Sequence, residues 1–286
     1  MPARSQCYVP FIVNSSGVAG VPILHLVVLA IVQGITEFFP ISSSAHLILT
    51  PKIMGWVDQG PLIDLAMHVG TLLAVVLYFR AEMWRMTLGG LALLRGRYTD
   101  DAKLFLLLSL ASIPAFVAGA LIVRLGGNEL MRNVELIGWT TLIFGALLYI
   151  ADQHGKHLHR LEHVNYLNAT LIGLAQALAL VPGVSRSGST MTAARFLGME
   201  RAEAARFSFL MSIPVTMAAG GMGALEIIQS GELALQTNAL ISGTVAFFTA
   251  LFAITVLIRW LASSSFTPFV VYRMFLGTGL LIWTYF

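Results

Sequence analysis

Charged residues are scarce in this chain: aspartate, glutamate, lysine and arginine make up 11% of its 286 residues, against roughly 25% in soluble domains. That scarcity excludes an ordinary solvated surface, and the net charge of +3 is small enough that its position matters more than its size. Cysteine is almost missing. Cys7 stands alone, which excludes an internal disulfide and a cysteine-built metal cluster. Residues 1–20 hold Pro2, Pro10 and Ser15-Ser16 and lack a basic stretch followed by an apolar core, so they read as an N-terminal extension and not as a cleaved signal peptide. What the chain does have is apolar surface: 57% hydrophobic residues and a mean hydropathy of +0.81. This is the composition of a polytopic membrane protein, and the continuity of the apolar runs favours a single membrane domain over 21–286.

A bilayer crossing takes about 20 mostly apolar residues. Six segments meet that length, near 62–80, 104–124, 134–151, 207–228, 239–259 and 266–286. The stretch 83–94 is apolar but short and flanked by arginines, so it is expected to lie along the surface or cap a loop. Two more apolar segments, 21–39 and 166–181, run straight into serine clusters, and each is followed by a short helical stretch, about 43–56 and 188–198. Polar backbone at membrane depth is tolerated only where protein or a water-filled cavity surrounds it. The expected fold is an all-α integral membrane protein of about six transmembrane helices plus two re-entrant helix-loop-helix hairpins.

Lysine and arginine positions orient it. With the loop 80–103 inside, eleven cationic residues fall on the inner side and four outside (Arg4, Lys52, Arg124 and Arg132), while Arg186 and Arg273 lie within membrane segments. Inner loops are expected to carry that excess. Three crossings separate the hairpins, so they enter from opposite faces. The two halves, about 21–124 and 166–286, then form an inverted repeat, an arrangement known from transporters whose midplane sites are built from broken helices.

The breaks carry the chemistry. Gln33 and Gln176, 143 residues apart, each open a run from apolar helix through proline into serines. Gln33 and Glu37 are four apart and share one helix face, and Pro40 ends that helix. Ser42, Ser43 and Ser44 are N-cap candidates for the next helix, with His46 in its first turn. In the second break Pro182-Gly183 gives the turn, Ser185, Arg186, Ser187 and Ser189 are donors, and Gly188 permits close backbone approach. Helix starts bind phosphate, and an arginine in a dry site is a strong phosphate ligand. Two facing helix starts plus Arg186 would hold a diphosphate near the midplane. Glu37 could bind a divalent cation, polarise the phosphates or move a proton. His46 could be the general acid or base, and Ser43, activated by His46, could attack phosphorus.

Other polar residues are less telling. Asp64 and His68, four apart, could line the cavity, bind metal or satisfy each other. Arg273, inside the last segment, reads as a structural ion-pair partner. His154, His157, His159 and His163 fall beside Lys156 and Arg160 in the expected inner loop and read as solvated.

With these residues in hand, the chain resembles the undecaprenyl-diphosphate phosphatases of the bacitracin-resistance type. The family's first motif, Glu/Gln-Gly-x-Thr-Glu-Phe-x-Pro-x-Ser-Ser-x-Gly-His, is matched by Gln33, Glu37, Ser42, Ser43 and His46, and its second, Pro-Gly-x-Ser-Arg-Ser-Gly, by Pro182 through Gly188. The stretches Ala205–Pro214 and Phe266–Arg273 are similar as well. Ala45 departs from the usual glycine, and Gln33 in place of glutamate removes one candidate metal ligand. The resemblance implies hydrolysis of undecaprenyl diphosphate to the monophosphate and phosphate, dependence on Mg²⁺ or Ca²⁺, and a site open to the outer face of the bacterial cytoplasmic membrane. It implies Glu37, His46 and Arg186 as the core, Ser43 as candidate nucleophile with a metal-bound water as the alternative attacker, and Gln33 in support. The expected partners are the polyprenyl diphosphate lipid and the bilayer, with a second copy of the chain as a candidate and nucleic acid excluded. The rival reading, drawn from the inverted repeat, is a transporter or flippase of the polyprenyl phosphate carrier.

Overall fold

The computed structural model describes residues 21–125, 133–155 and 160–286. The extension 1–20, Arg132, Lys156, His157 and His159 lie outside the described residues. Those described are helical, with no strand among them: α1 (Ile23–Thr36), α2 (Ser43–Met54), α3 (Pro61–Tyr78), α4 (Arg80–Leu94), α5 (Asp100–Leu125), α6 (Val134–His154), α7 (Tyr166–Leu178), α8 (Arg186–Phe196), α9 (Arg201–Gln229), α10 (Leu233–Leu261) and α11 (Thr267–Tyr285).

Five of these, α3, α5, α6, α9 and α10, are long and apolar enough to cross a membrane. Helix α11, expected as a sixth crossing, is 19 residues long but falls outside that group. Thr267, Arg273, Thr278 and Thr284 dilute its apolar content. It packs along α6, where Gly138 and Gly277 let the backbones approach, as small residues do between membrane helices. The short apolar stretch near 83–94 belongs to α4, which starts at Arg80, packs on α5 and buries only Met86 and Gly89.

Helices α1 and α7 have 14 and 13 residues, which at 1.5 Å per residue reach about 20 Å. That is well short of a hydrocarbon core of about 30 Å. Each leads through a turn into a second short helix packed against it, α1 into α2 and α7 into α8. The turns share an unusual conformation. Ser42 (φ 74°) and Ser185 (φ 72°) are the two non-glycine residues with positive φ among those described, and they sit at matching positions, nine residues after Gln33 and Gln176.

The packing is crossed: α1 lies against α10, α7 against α5, and α3 against both α9 and α10. A helix from the first half therefore leans on the second half, and the reverse. The first break is tied to this core by Phe38, which meets Phe209 of α9 edge to face at 5.1 Å.

Helix α8 is polar yet mostly buried. Its hydroxyls are satisfied locally: Thr192 donates to the Gly188 carbonyl at 2.7 Å, and Thr190 pairs with Ser208 of α9 at 2.7 Å. Its far end is held by Arg195, 0% exposed, whose Nε lies 3.4 Å from Asp152 Oδ1 and whose Nη atoms donate to the carbonyls of Met199, Asp152 and Gly155. Asp152 also accepts from Arg201 Nε at 2.6 Å and from the Phe266 amide at 3.1 Å. One buried carboxylate thus joins α6, α8, α9 and the start of α11.

Candidate active site

Both breaks are held by one side chain. Arg273 of α11 is 0% exposed and donates to Pro40 O at 3.2 Å in the first break and to Gly183 O at 3.0 Å and Val184 O at 3.2 Å in the second. It also reaches Thr141 O at 3.1 Å and Thr140 O at 3.5 Å on α6. The ion pair expected for Arg273 is replaced by backbone carbonyls. Chain that leaves a helix must satisfy its carbonyls elsewhere, and a guanidinium with five donors in a fixed fork serves several at once. Thr140 adds a bond to Pro182 O at 2.6 Å. Gly183 takes φ 84°, and a Cβ added at Gly188 would come within 2.9 Å of Arg273 Nη1, so that glycine is required by close approach.

This scaffold brings Glu37, at the end of α1, to the start of α8. Arg186 Nη2 donates to Glu37 Oε1 at 2.6 Å, and Arg186 Nη1 to the Ser208 carbonyl at 3.1 Å. The other carboxylate oxygen, Oε2, accepts from Ser43 Oγ at 2.7 Å and from Gln33 Nε2 at 3.0 Å. His68 Nε2 lies 3.4 Å from the same oxygen, its ring oriented by Nδ1 against the Asp64 carbonyl at 2.7 Å. Glu37 therefore meets a hydroxyl from the first break and a guanidinium from the second. Glu37, Ser43, His68 and Arg186 line a cavity of about 250 Å³ that also takes in Gln176 and the α9 residues Ser212 and Thr216.

The remaining serines repeat one pattern. Ser42 and Ser44 hydroxyls lie 3.3 Å apart, as do those of Ser185 and Ser187. Ser42, Ser44 and Ser185 are on the cavity wall. Ser187 donates to the Phe39 carbonyl at 3.1 Å and so links the breaks. Ser185 caps α8, its Oγ accepting from the Gly188 amide at 3.1 Å. Ser42 is the residue before α2, but its side chain makes no cap bond.

His46 is placed differently from its sequence expectation. Its Nδ1 pairs with the Ser42 carbonyl at 2.7 Å and its Nε2 with Tyr272 Oη at 2.6 Å, the rings stacked 5.6 Å apart. The group in contact with the Ser43 hydroxyl is Glu37. Sequence reasoning left His68 undecided and gave Gln176 and Tyr272 no role. The helical spacing of Asp64 and His68 pointed to α3's polar face, but not to Glu37 as its neighbour. Asp64 is engaged by Gln59 Nε2. His154 and His163 are held by the Ile150 carbonyl and the Arg160 amide.

The donor set does not fit a resident metal ion. Among the described residues no three histidines, cysteines or carboxylates gather. Glu37 is the one carboxylate on this wall, and both its oxygens already accept from protein donors.

Comparison with known proteins agrees with the motif pattern. The model of the family described as bacitracin resistance protein BacA matches residues 26–279. The undecaprenyl-diphosphatase of Dinoroseobacter shibae is 48% identical over 264 residues, covering 92% of this chain and 99% of that protein. That of Alcanivorax borkumensis is 49% identical over 263 residues, covering 90% and 97%. Undecaprenyl-diphosphatase 1 of Rhodospirillum rubrum is 44% identical over 269 residues, covering 92% and 95%.

Proposed function

The chain belongs to the bacitracin resistance protein BacA family, and from that premise we propose that it is a membrane undecaprenyl-diphosphatase whose chemistry runs where Glu37, Ser43 and Arg186 meet. It hydrolyses undecaprenyl diphosphate to undecaprenyl phosphate and inorganic phosphate, which recycles the lipid carrier for cell-wall synthesis and confers bacitracin resistance. The observation that carries the assignment of the site is the Glu37 carboxylate held between the Ser43 hydroxyl at 2.7 Å and the Arg186 guanidinium at 2.6 Å.

Phosphoryl transfer asks mainly for positioning and for neutralisation of charge on phosphate oxygens. Arg186 is shared between Glu37 and the incoming diphosphate, whose oxygens compete for its donors. Ser43 Oγ attacks the terminal phosphorus as its proton passes to Glu37 Oε2, a separation within the range for proton transfer. The bond from that phosphorus to the bridging oxygen breaks, and undecaprenyl phosphate leaves with the electron pair and takes up the proton from Glu37. Water then attacks the phosphorus of the phosphoserine, again giving a proton to Glu37, as the bond from phosphorus to Ser43 Oγ breaks. Ser43 leaves with the electron pair and takes the proton back from Glu37, and inorganic phosphate departs. His46, bonded to the Ser42 carbonyl beside Ser43, serves this step as a positioning residue for the start of α2. Because the protein donors do not fit a resident ion, no step is assigned to one. A divalent cation such as Mg²⁺ or Ca²⁺ would be held chiefly by the diphosphate's own oxygens.

Within the membrane, α11 serves as a sixth crossing beside α6, and the pairs α1–α2 and α7–α8 are re-entrant hairpins of an inverted repeat. Their short lengths, their matched serines at positive φ and the crossed packing support this. The lysine and arginine bias supports placing both termini outside, and an opening of the site on the outer face rests on the family resemblance. The crossed halves also lend support to a second reading, a transporter or flippase of the carrier lipid. That reading requires lipid translocation in liposomes that survives Ser43→Ala.

The test is phosphate release from undecaprenyl diphosphate by purified protein. Glu37→Ala and Arg186→Ala are each expected to lower the rate by at least about a hundredfold. Wild-type rates in both would sink the assignment of the site.

A further inference from the structure

Gln176 occupies in the second break the place that Gln33 occupies in the first. Their surroundings differ. Gln33 Nε2 donates to Glu37, four residues on. Four residues after Gln176 stands Leu180, and both polar atoms of the Gln176 carboxamide, Nε2 and Oε1, are buried without a hydrogen-bond partner. The residue is 2% exposed, and it lies on the wall of the cavity that holds Glu37, Ser43 and Arg186.

Burying an amide with neither its donors nor its acceptor paired is unfavourable. An apolar side chain of the same shape would pack there without that cost, so packing gives no reason for glutamine. A ligand in the cavity does. Phosphoryl oxygens are acceptors and fit the two N–H groups of Nε2. The carbonyl cannot face them, but it can accept from a water at the edge of the head group. The neighbouring arginine supplies charge, and a neutral carboxamide adds direction without further charge to desolvate.

We infer that Gln176 is a substrate-binding residue, its Nε2 donating to a non-bridging oxygen of the diphosphate and its Oε1 holding a water beside it. This rests on reading the cavity as the diphosphate site. It assigns the two glutamines different tasks, Gln33 to hold the carboxylate and Gln176 to hold the substrate.

The experiment uses the purified full-length protein and the variants Gln176→Leu and Gln176→Glu. Three quantities are measured: kcat and KM for undecaprenyl diphosphate, the binding of inorganic pyrophosphate, and the thermal midpoint. Losing a hydrogen bond to a charged group corresponds to about ten- to hundredfold in affinity. Gln176→Leu is expected to raise KM by that factor with kcat within about threefold of wild type. Pyrophosphate should weaken in parallel. The midpoint should hold or rise, because the unpaired amide is gone. Gln176→Glu should raise KM further, its carboxylate opposing the phosphates. A Leu variant with wild-type KM and pyrophosphate affinity overturns the inference, as does one whose midpoint falls in step with its activity. If wild-type protein releases no phosphate from the lipid, the functional reading fails instead, and pyrophosphate binding still decides the role of Gln176.

Discussion

Replacing Arg273 should loosen both breaks at once. Its guanidinium donates to five backbone carbonyls, those of Pro40, Thr140, Thr141, Gly183 and Val184. Three of these belong to chain that has left a helix and has few other donors in reach. A buried acceptor left unpaired costs on the order of 1 kcal/mol or more. Arg273→Met strands these three, while Thr140 and Thr141 keep their helical amides within α6; it also removes a buried cation, so the net loss is expected at about 2–4 kcal/mol. Arg273→Lys keeps the charge, but one nitrogen replaces a fork that spans both breaks. At least one of the three break carbonyls is expected to go unserved, which sets its loss at about 1–2 kcal/mol. Activity should fall further than stability suggests. Pro40 precedes Ser42 and Ser43 closely, Val184 precedes Ser185 and Arg186, and a displacement of about 1 Å at a reacting group costs about a hundredfold. Thermal unfolding in detergent, read beside phosphate release at a temperature where each variant is folded, separates the two effects. A methionine variant with the wild-type midpoint and rate would refute the view that this side chain holds the breaks in register.

Two further predictions concern the frame around the site. Asp152→Asn leaves the fully buried Arg195 without its carboxylate and should cost about 3–5 kcal/mol. Adding Arg195→Met should recover part of it, and strict additivity of the two losses would argue against the pair. Ser42 sits at φ 74°, a conformation that costs a non-glycine residue about 1–2 kcal/mol. Ser42→Gly should therefore stabilise by about 0.5–1 kcal/mol after glycine's entropy is counted, while Ser185→Gly, which gives up the cap on the Gly188 amide, should not gain. Equal shifts in the two midpoints would contradict that distinction.

Much of this arrangement was legible in the sequence, because its physical causes are local. Apolar runs interrupted by proline and serine mark the two breaks, and Glu37 and Arg186 stand out as ionisable groups at depth. The short lengths of α1 and α7 follow from where the prolines fall. What was not legible is what depends on the packing of distant helices. His68 reaches Glu37 from α3, and no periodicity within α3 reports that neighbour. His46 was assigned to Ser43 by proximity along the chain, but the first turn of α2 turns its ring towards Tyr272, 226 residues away. Arg273 was expected to find a carboxylate. Its partners are carbonyls, which every residue carries, so composition cannot single them out.

The central claim is that Ser43, with Glu37 accepting its proton, attacks the terminal phosphorus. Rapid acid quenching of a single turnover, with substrate radiolabelled in that phosphate, tests it most directly. The account predicts label on the peptide carrying Ser43, rising before free phosphate and absent in Ser43→Ala. Phosphate released in the first turnover with no label ever on the protein would contradict it and assign the attack to water.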